Sequence, residues 1–292
     1  MLRPDIVEPG TIKAALQALS RPGAVPLAGA TDLIPAIRKG EIKPRILVNL
    51  KLLPDASGIG RTRSGIRIGA LTPVADLLES EIIAKDCPLL IEVARDFGSP
   101  QIRSLATVGG NLCNATPSAD LALPLLVLDA RVQVRSARGP RQFDLCDFFR
   151  GVNKTILRRG EILTAILIPR SRVRTGAAHA KLGVRQAMDL AFAAVAAAIR
   201  LRADGRTCDQ VRIALGAVAP IPMRARKAEA ILEGHPVTAD LIRAAADAAA
   251  AEARPITDLR ASAEYRRDMT ATLARRVLQQ ALRRAKQKER AK

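Results

Sequence analysis

The stretch Ala106-Thr107-Val108-Gly109-Gly110-Asn111-Leu112-Cys113-Asn114-Ala115-Thr116-Pro117-Ser118-Ala119-Asp120 decides how the rest of the chain is read. An apolar run halts at two glycines, and hydroxyl and amide side chains crowd the turn that follows. A second glycine turn, Pro26-Leu27-Ala28-Gly29-Ala30-Thr31-Asp32-Leu33, precedes it by about 80 residues. Glycine lets backbone approach an anion and turn its N–H groups inward, and a following helix start adds positive potential. Thr31, Thr107 and Asn111 would add side-chain donors. Two such turns, one from each sub-lobe, could converge on a single pyrophosphate. Neither matches the GxGxxG fingerprint or the phosphate loop ending in Gly-Lys-Ser/Thr, and Asp32 and Asp120 read equally well as helix caps or turn formers. Pattern alone therefore reaches an α+β protein with a candidate phosphate-binding cleft.

Around these turns, short apolar strands alternate with helical stretches. Thr11 is placed to cap a helix over 12–19, residues 25–28 form a short strand, and 33–39 form a helix. Strands are expected at 46–50 and 65–70, and Thr72-Pro73 opens a helix in the cap-then-proline order. Helices follow at 80–85 and 88–97. Residues 132–136 alternate apolar and polar with period two, and 162–168 form an apolar strand stopped by Pro169. The basic stretch 170–176 marks a boundary. Beyond it, Asp204-Gly205 between the apolar runs 190–201 and 211–219 signals a hairpin, although 193–198 scores as helix on propensity. Helices are expected at 223–232, 238–252 and 261–286.

At 292 residues the chain has room for two domains, and its 48% apolar content supports substantial cores. The longest strongly apolar run, 190–199, is about half of the roughly 20 residues a membrane-spanning helix needs. The first residues lack the layout of a secretory signal. Cys87, Cys113, Cys146 and Cys208 are scattered without a CxxC pair, so their spacing specifies neither a disulfide framework nor a metal site. A cytoplasmic protein is the expectation. The formal charge is +19, of which +8 falls in the last 33 residues. Such a basic segment suits an acidic partner or nucleic acid, or is a solvated helical face.

In this order, the motifs resemble those of the flavin (medium) subunits of molybdenum hydroxylases, the carbon monoxide, xanthine and aldehyde dehydrogenase family. Residues 26–33 resemble the family's first FAD loop, Ala-Gly-Gly-Thr-Asp-Leu, and 107–120 its second, Thr-Ile-Gly-Gly-Asn followed by Asn-Ala-Ser-Pro and Asp. Arg185 with Leu190 and Ala191 resembles the Arg-x-x-x-Asp-Leu-Ala segment. The run from Leu215 to Pro220, with Pro222 and Arg224, is similar to Gly-Gly-Val-Ala-Pro-x-Pro-x-Arg. The segment 260–267 is similar to the family's final helix. Three departures stand out. Ala30 replaces a glycine and would be strained at positive φ; Val184 stands where an arginine is common; and no cluster-ligating cysteine insert is present.

The resemblance implies an α+β fold: a two-lobed FAD-binding domain of the p-cresol methylhydroxylase and vanillyl-alcohol oxidase type over 1–172 (sub-lobes about 1–55 and 56–172). A smaller domain over 173–285, with a three-stranded antiparallel sheet and helices, would precede a basic tail, 286–292. It implies that Leu27, Ala28, Gly29, Ala30, Thr31, Asp32 and Leu33, with Thr107, Gly109, Gly110 and Asn111, hold the FAD diphosphate and adjoining sugars. Asn114, Ser118 and Asp120 would continue to the adenosine side, and Phe97, Leu163 and Lys181 would line the flavin. No catalytic acid or base and no metal are expected in this chain. The molybdenum cofactor would reside in a large subunit and [2Fe–2S] clusters in a small one, in a dimer of heterotrimers with a quinone, NAD or oxygen as acceptor. Two other readings stay open on the residues: a free-standing FAD-dependent oxidase or dehydrogenase, and a basic nucleic-acid-binding or scaffold protein.

Overall fold

The computed structural model describes residues 4–185 and 188–290; Gln186 and Ala187, within the segment that begins at Arg185, and the last two residues of the expected tail lie outside them. The first sub-lobe contains β1 (Asp5–Val7), α1 (Ile12–Leu19), β2 (Ala24–Leu27), α2 (Leu33–Arg38) and β3 (Ile46–Asn49). Its strands are parallel in the order β1-β3-β2, closed over a small core of Ala15, Leu16, Leu19 and Val48. The Thr11 hydroxyl caps α1 by accepting from the Ala14 amide, which answers one of the unpaired N–H groups of a helix start.

The second sub-lobe runs from β4 (Ile59–Thr62) and β5 (Gly65–Gly69) through six helices: α3 (Val74–Glu79), α4 (Glu81–Asp86), α5 (Pro88–Arg95), α6 (Pro100–Leu105), α7 (Val108–Asn114) and α8 (Ala122–Val127). It ends with β6 (Arg131–Ser136), β7 (Gly139–Asp144), the small hairpin β8 (Phe149–Gly151) and β9 (Lys154–Thr155), and β10 (Ile162–Pro169). A five-stranded antiparallel sheet, β4-β5-β10-β6-β7, carries the helices on a large core that includes Ile68, Leu77, Leu90, Leu121 and Phe148. Thr72 does not cap α3. Its hydroxyl donates to the Gly58 carbonyl, and Pro73 takes the cap position instead.

The last segment holds β11 (Thr175–Leu182), β12 (Ala193–Leu201), β13 (Cys208–Gly216), β14 (Met223–Arg224), α9 (Arg226–Leu232), α10 (Ala239–Glu252) and α11 (Ala263–Arg290). Three long antiparallel strands form its sheet, and the two-residue β14 extends the edge where a helix was expected to begin. The helix α11 continues through the start of the expected tail. Among the described residues no helix is long and apolar enough to cross a membrane.

The alanine run in β12 is a strand because both of its faces are covered. Ala194, Ala196 and Ala198 enter the large core of the second sub-lobe, while Ala193, Val195, Ala197 and Ile199 face the core under α10 and α11. Burial on both sides overrides alanine's helical preference. At the turn, Asp204 Oδ1 accepts from the amides of Arg206 and Thr207, and Gly205 adopts φ 63°.

Ion pairs also join the segments. Lys181 meets Asp120 at 3.2 Å, Arg212 meets Asp129 at 2.8 Å, Arg224 meets Asp129 at 3.3 Å, and Arg284 meets Glu92 at 2.8 Å. In each, the cation comes from the last segment and the carboxylate from the second sub-lobe. Arg224 and Glu229 are both buried, with Nη2 to Oε2 at 2.6 Å, and Glu229 Oε1 also accepts from the Ile213 amide at 2.9 Å. Removing one member of a buried pair strands the other charge, at a cost of roughly 3–5 kcal/mol. Arg224→Leu is therefore expected to lower unfolding stability by about 3 kcal/mol in urea titration, and Arg224→Leu combined with Glu229→Leu to recover part of that loss.

His179 shares the face of β11 with Ala177 and Lys181, and its Nε2 is sealed from water without a partner among the described residues. Burial, with Lys181 nearby, lowers its pKa from 6.5 to about 4. The unfolded chain regains the value of 6.5 and so binds more protons between pH 6.5 and 4. Stability is thus expected to fall as pH drops through this window, by up to about 1.4 kcal/mol per unit from this group. A His179→Phe chain should show a shallower loss over the same range, measured by urea midpoints.

Candidate functional site

At the end of β2 the Leu27 carbonyl accepts from the Leu50 amide at 2.9 Å, and the chain turns into the loop Ala28 to Leu33. A Cβ added at Gly29 would stand 2.1 Å from the Leu105 carbonyl oxygen and 2.9 Å from the Ala106 Cα. The first glycine loop thus rests directly on the backbone leading into the second. Gly109 is required for a similar reason: a Cβ there would lie 2.6 Å from both Cβ and carbonyl oxygen of Ala70, at the end of β5.

The two loops differ in what they have left to offer. In the second, Val108 donates to the Thr72 carbonyl at 3.0 Å and Gly109 to the Ala70 carbonyl at 2.8 Å. Gly110 donates to Thr107 Oγ1 at 3.0 Å, and Asn111 to the Thr107 carbonyl at 3.0 Å. Its amides are engaged in holding α7 to the sheet. In the first loop, by contrast, the amides of Gly29, Ala30, Thr31, Asp32 and Leu33 donate to no described residue. All five of these residues line a cleft of about 690 Å³, faced by Thr107, Gly109, Gly110, Asn114 and Leu163; Ala28 lines it too. The two turns expected to converge on a pyrophosphate thus face one cleft, the first with unpaired amides and the second with amides already paired within the protein. Free N–H groups around a cleft fit the diphosphate of FAD, because backbone donors can accept negative charge without a counterion of their own.

Ala30 adopts φ 63°, the left-handed region, which costs a residue with a Cβ about 1–2 kcal/mol. Asp32 stands at the start of α2 without making a capping bond, and burial raises its carboxyl above the usual range. The other expected site residues do not line this cleft. Lys181 Nζ donates to the Asp96 carbonyl at 3.1 Å and to Asp120 Oδ1 at 3.2 Å, with Phe97 buried beside Asp96. Burial raises the Asp120 carboxyl, and the Lys181 charge pulls it back down. Asn111 Oδ1 accepts from the Leu121 amide at 3.2 Å, next to that ion pair. Ser118 is partly buried on the turn between Asn114 and Asp120.

Cys113, Asn153 and Glu161 line the cleft and were not singled out by sequence. Burial pushes the Cys113 thiol up to about 12, so it stays protonated. Asn153, at φ 55° in the turn between β8 and β9, donates its amide to the Ala115 carbonyl at 2.9 Å and its Nδ2 to the Asn114 carbonyl at 2.8 Å. Glu161 is held by Arg141 at 2.6 Å. An asparagine in a hairpin turn and a glutamate before a strand are too common for either to have signalled a site.

Two family descriptions match the chain in tandem: "FAD binding domain in molybdopterin dehydrogenase" over residues 2–171, and "CO dehydrogenase flavoprotein C-terminal domain" over 178–281. The xanthine dehydrogenase FAD-binding subunit of Escherichia coli O157:H7 is 33% identical over 275 residues, 93% of this chain and 94% of that one. The carbon monoxide dehydrogenase medium chain of Afipia carboxidovorans is 34% identical over 97% of this chain and 98% of its own length. Among solved structures, carbon monoxide dehydrogenase from Hydrogenophaga pseudoflava superposes with a TM-score of 0.94 at 33% identity, covering 97% of this chain and 98% of that one. With a cleft that fits FAD and matches across nearly its whole length, the chain belongs to the FAD-binding flavoprotein subunits of the molybdopterin dehydrogenases, a family of oxidoreductases.

Proposed function

We propose that this chain is the FAD-carrying electron-transfer subunit of a heteromeric molybdenum hydroxylase. It accepts electrons from [2Fe–2S] clusters of a small partner subunit and passes them to an external acceptor. Substrate oxidation takes place in a large molybdenum subunit. The observation that carries this reading is the set of five unspent amides in the first loop, set across a cleft from the second. The relatives' printed names, xanthine dehydrogenase FAD-binding subunit and carbon monoxide dehydrogenase medium chain, support the heteromeric setting.

In this reading Gly29, Ala30, Thr31, Asp32 and Leu33 bind the diphosphate through backbone N–H groups, with Leu27 and Ala28 leading into them. Thr107, Gly109, Gly110 and Asn114 set the facing wall, and Asn111, Ser118 and Asp120 continue the site beyond the cleft. Leu163 and Phe97 supply apolar surface. Lys181, oriented by Asp120 and the Asp96 carbonyl, places a fixed positive charge at the junction of the segments, which favours developing negative charge nearby. The bound flavin supplies one- and two-electron exchange, and the chain supplies position and field. Two sub-lobes, the second sub-lobe's boundary near 172 and a smaller domain to 285 describe its organisation.

Purification of the assembly tests the function. Flavin absorbance with co-purifying molybdenum and iron is expected; a flavin-bearing, metal-free protein that turns over an organic substrate by itself would refute it. Gly29→Ala is expected to abolish flavin retention, because the added methyl collides with backbone rather than a side chain that can move. Ala30→Gly should retain flavin and leave stability equal or raised by up to about 1.5 kcal/mol. Relief of about 1–2 kcal/mol of left-handed strain is offset by glycine's roughly 0.5–1 kcal/mol of extra chain entropy. Thermal unfolding with flavin fluorescence reads both variants.

A further inference from the structure

A second cavity, of about 600 Å³, opens between the β8–β9 hairpin and the last segment. Its floor is apolar, with Ala219, Pro220, Ile221 and Met223 from the β13–β14 connection and Ala248 and Ala251 from α10. Arg150, Lys227 and Arg254 stand on its wall, and among the described residues none of the three has an ion-pair or hydrogen-bonded side-chain partner. The single carboxylate there, Glu252, accepts from the Ala228 amide at 2.9 Å. Three free cations over an apolar floor, in a volume typical of small-molecule sites, suit an anion with an apolar body.

The hairpin wall of this cavity reaches the cofactor cleft, and its floor is tied to the segment that follows Asn114, a lining residue. The hairpin that carries Arg150 turns at Asn153, which lines the cleft and holds the carbonyls of Asn114 and Ala115. The connection that forms the floor begins at Ala217, whose amide donates to the Pro117 carbonyl at 2.7 Å. The segment 114–117 is thus gripped from two sides by the elements that enclose the second cavity. An anion spanning Arg150 on one side and Lys227 and Arg254 on the other would draw those elements together.

We propose that this cavity binds a small apolar carboxylate and that its occupation tightens FAD binding through Asn153 and Ala217. The coupling rests on the flavin reading above, and linkage makes it reciprocal: each ligand raises the affinity of the other by the same factor.

Octanoate titrated calorimetrically into the flavin-loaded assembly tests the site, with octanol as the neutral analogue and Arg254→Ala/Lys227→Ala as the variant. Both replaced side chains are exposed, and thermal unfolding checks that the variant is folded. Saturable octanoate binding is expected, weakened about tenfold or more by the variant and absent for octanol, together with an FAD dissociation constant lowered about fivefold by octanoate. Equal binding by the variant, equal binding of octanol, or no saturable binding at millimolar octanoate would overturn the site. Octanoate binding that leaves FAD affinity unchanged would overturn the coupling. An assembly purified without flavin refutes the functional reading instead, and is recognised from its absorbance before any titration.

Discussion

Gly29 lies so close to the Leu105 carbonyl that no side chain fits between them. That contact braces the small parallel sub-lobe against the larger antiparallel one, beside a shared core of Leu19, Val48, Leu71 and Ile162. It also fixes what faces the cleft. With the loop held against the chain entering α7, its amides stay free of secondary-structure partners, while in the second turn Val108 and Gly109 bind the Thr72 and Ala70 carbonyls and Gly110 and Asn111 bond to Thr107. One loop is built and the other is left open, which is why the proposed reading seats a diphosphate in the open one. The left-handed Ala30 belongs to the same arrangement: the shape of the loop is imposed by its neighbours, and the residue bears the strain.

The junction with the last segment has a different character. The ion pairs described across it run one way, from Lys181, Arg212, Arg224 and Arg284 to Asp120, Asp129 and Glu92. Such uniform polarity resists a shift in register, since any slide opposes several attractions at once. Lys181 depends on it most directly, being held by Asp120 and the Asp96 carbonyl rather than by its own strand.

Much of the fold could be read from sequence where a local signal and the tertiary environment agree. Thr11, the run over 12–19, and the Asp204-Gly205 turn are of this kind. The three-residue β1, the short β4 and the two-residue β14 are set by pairing with distant strands and have too few residues for a period to emerge. Met223 and Arg224 sit before a helix and look helical, yet they pair with β13. At the site, glycines 29, 109 and 110 marked two loops that meet across one cleft, and steric contact with protein accounts for Gly29 and Gly109 without any ligand. The Lys181–Asp120 pair joins residues 61 positions apart. The resemblance named both residues but not their pairing, and no spacing rule connects residues so far apart.

The alternation along β12 carries one more consequence. Because Ala194, Ala196 and Ala198 belong to one core and Ala193, Val195, Ala197 and Ile199 to another, the seam near residue 172 divides the chain but not its interior. Freed of the first 170 or so residues, the sheet would present to water an alanine face together with Lys181, Arg212 and Arg224, three cations on the same face stripped of Asp120 and Asp129. In this chain the two matched stretches therefore complete each other's interior, one supplying the alanine face and its cations, the other the core and carboxylates that receive them.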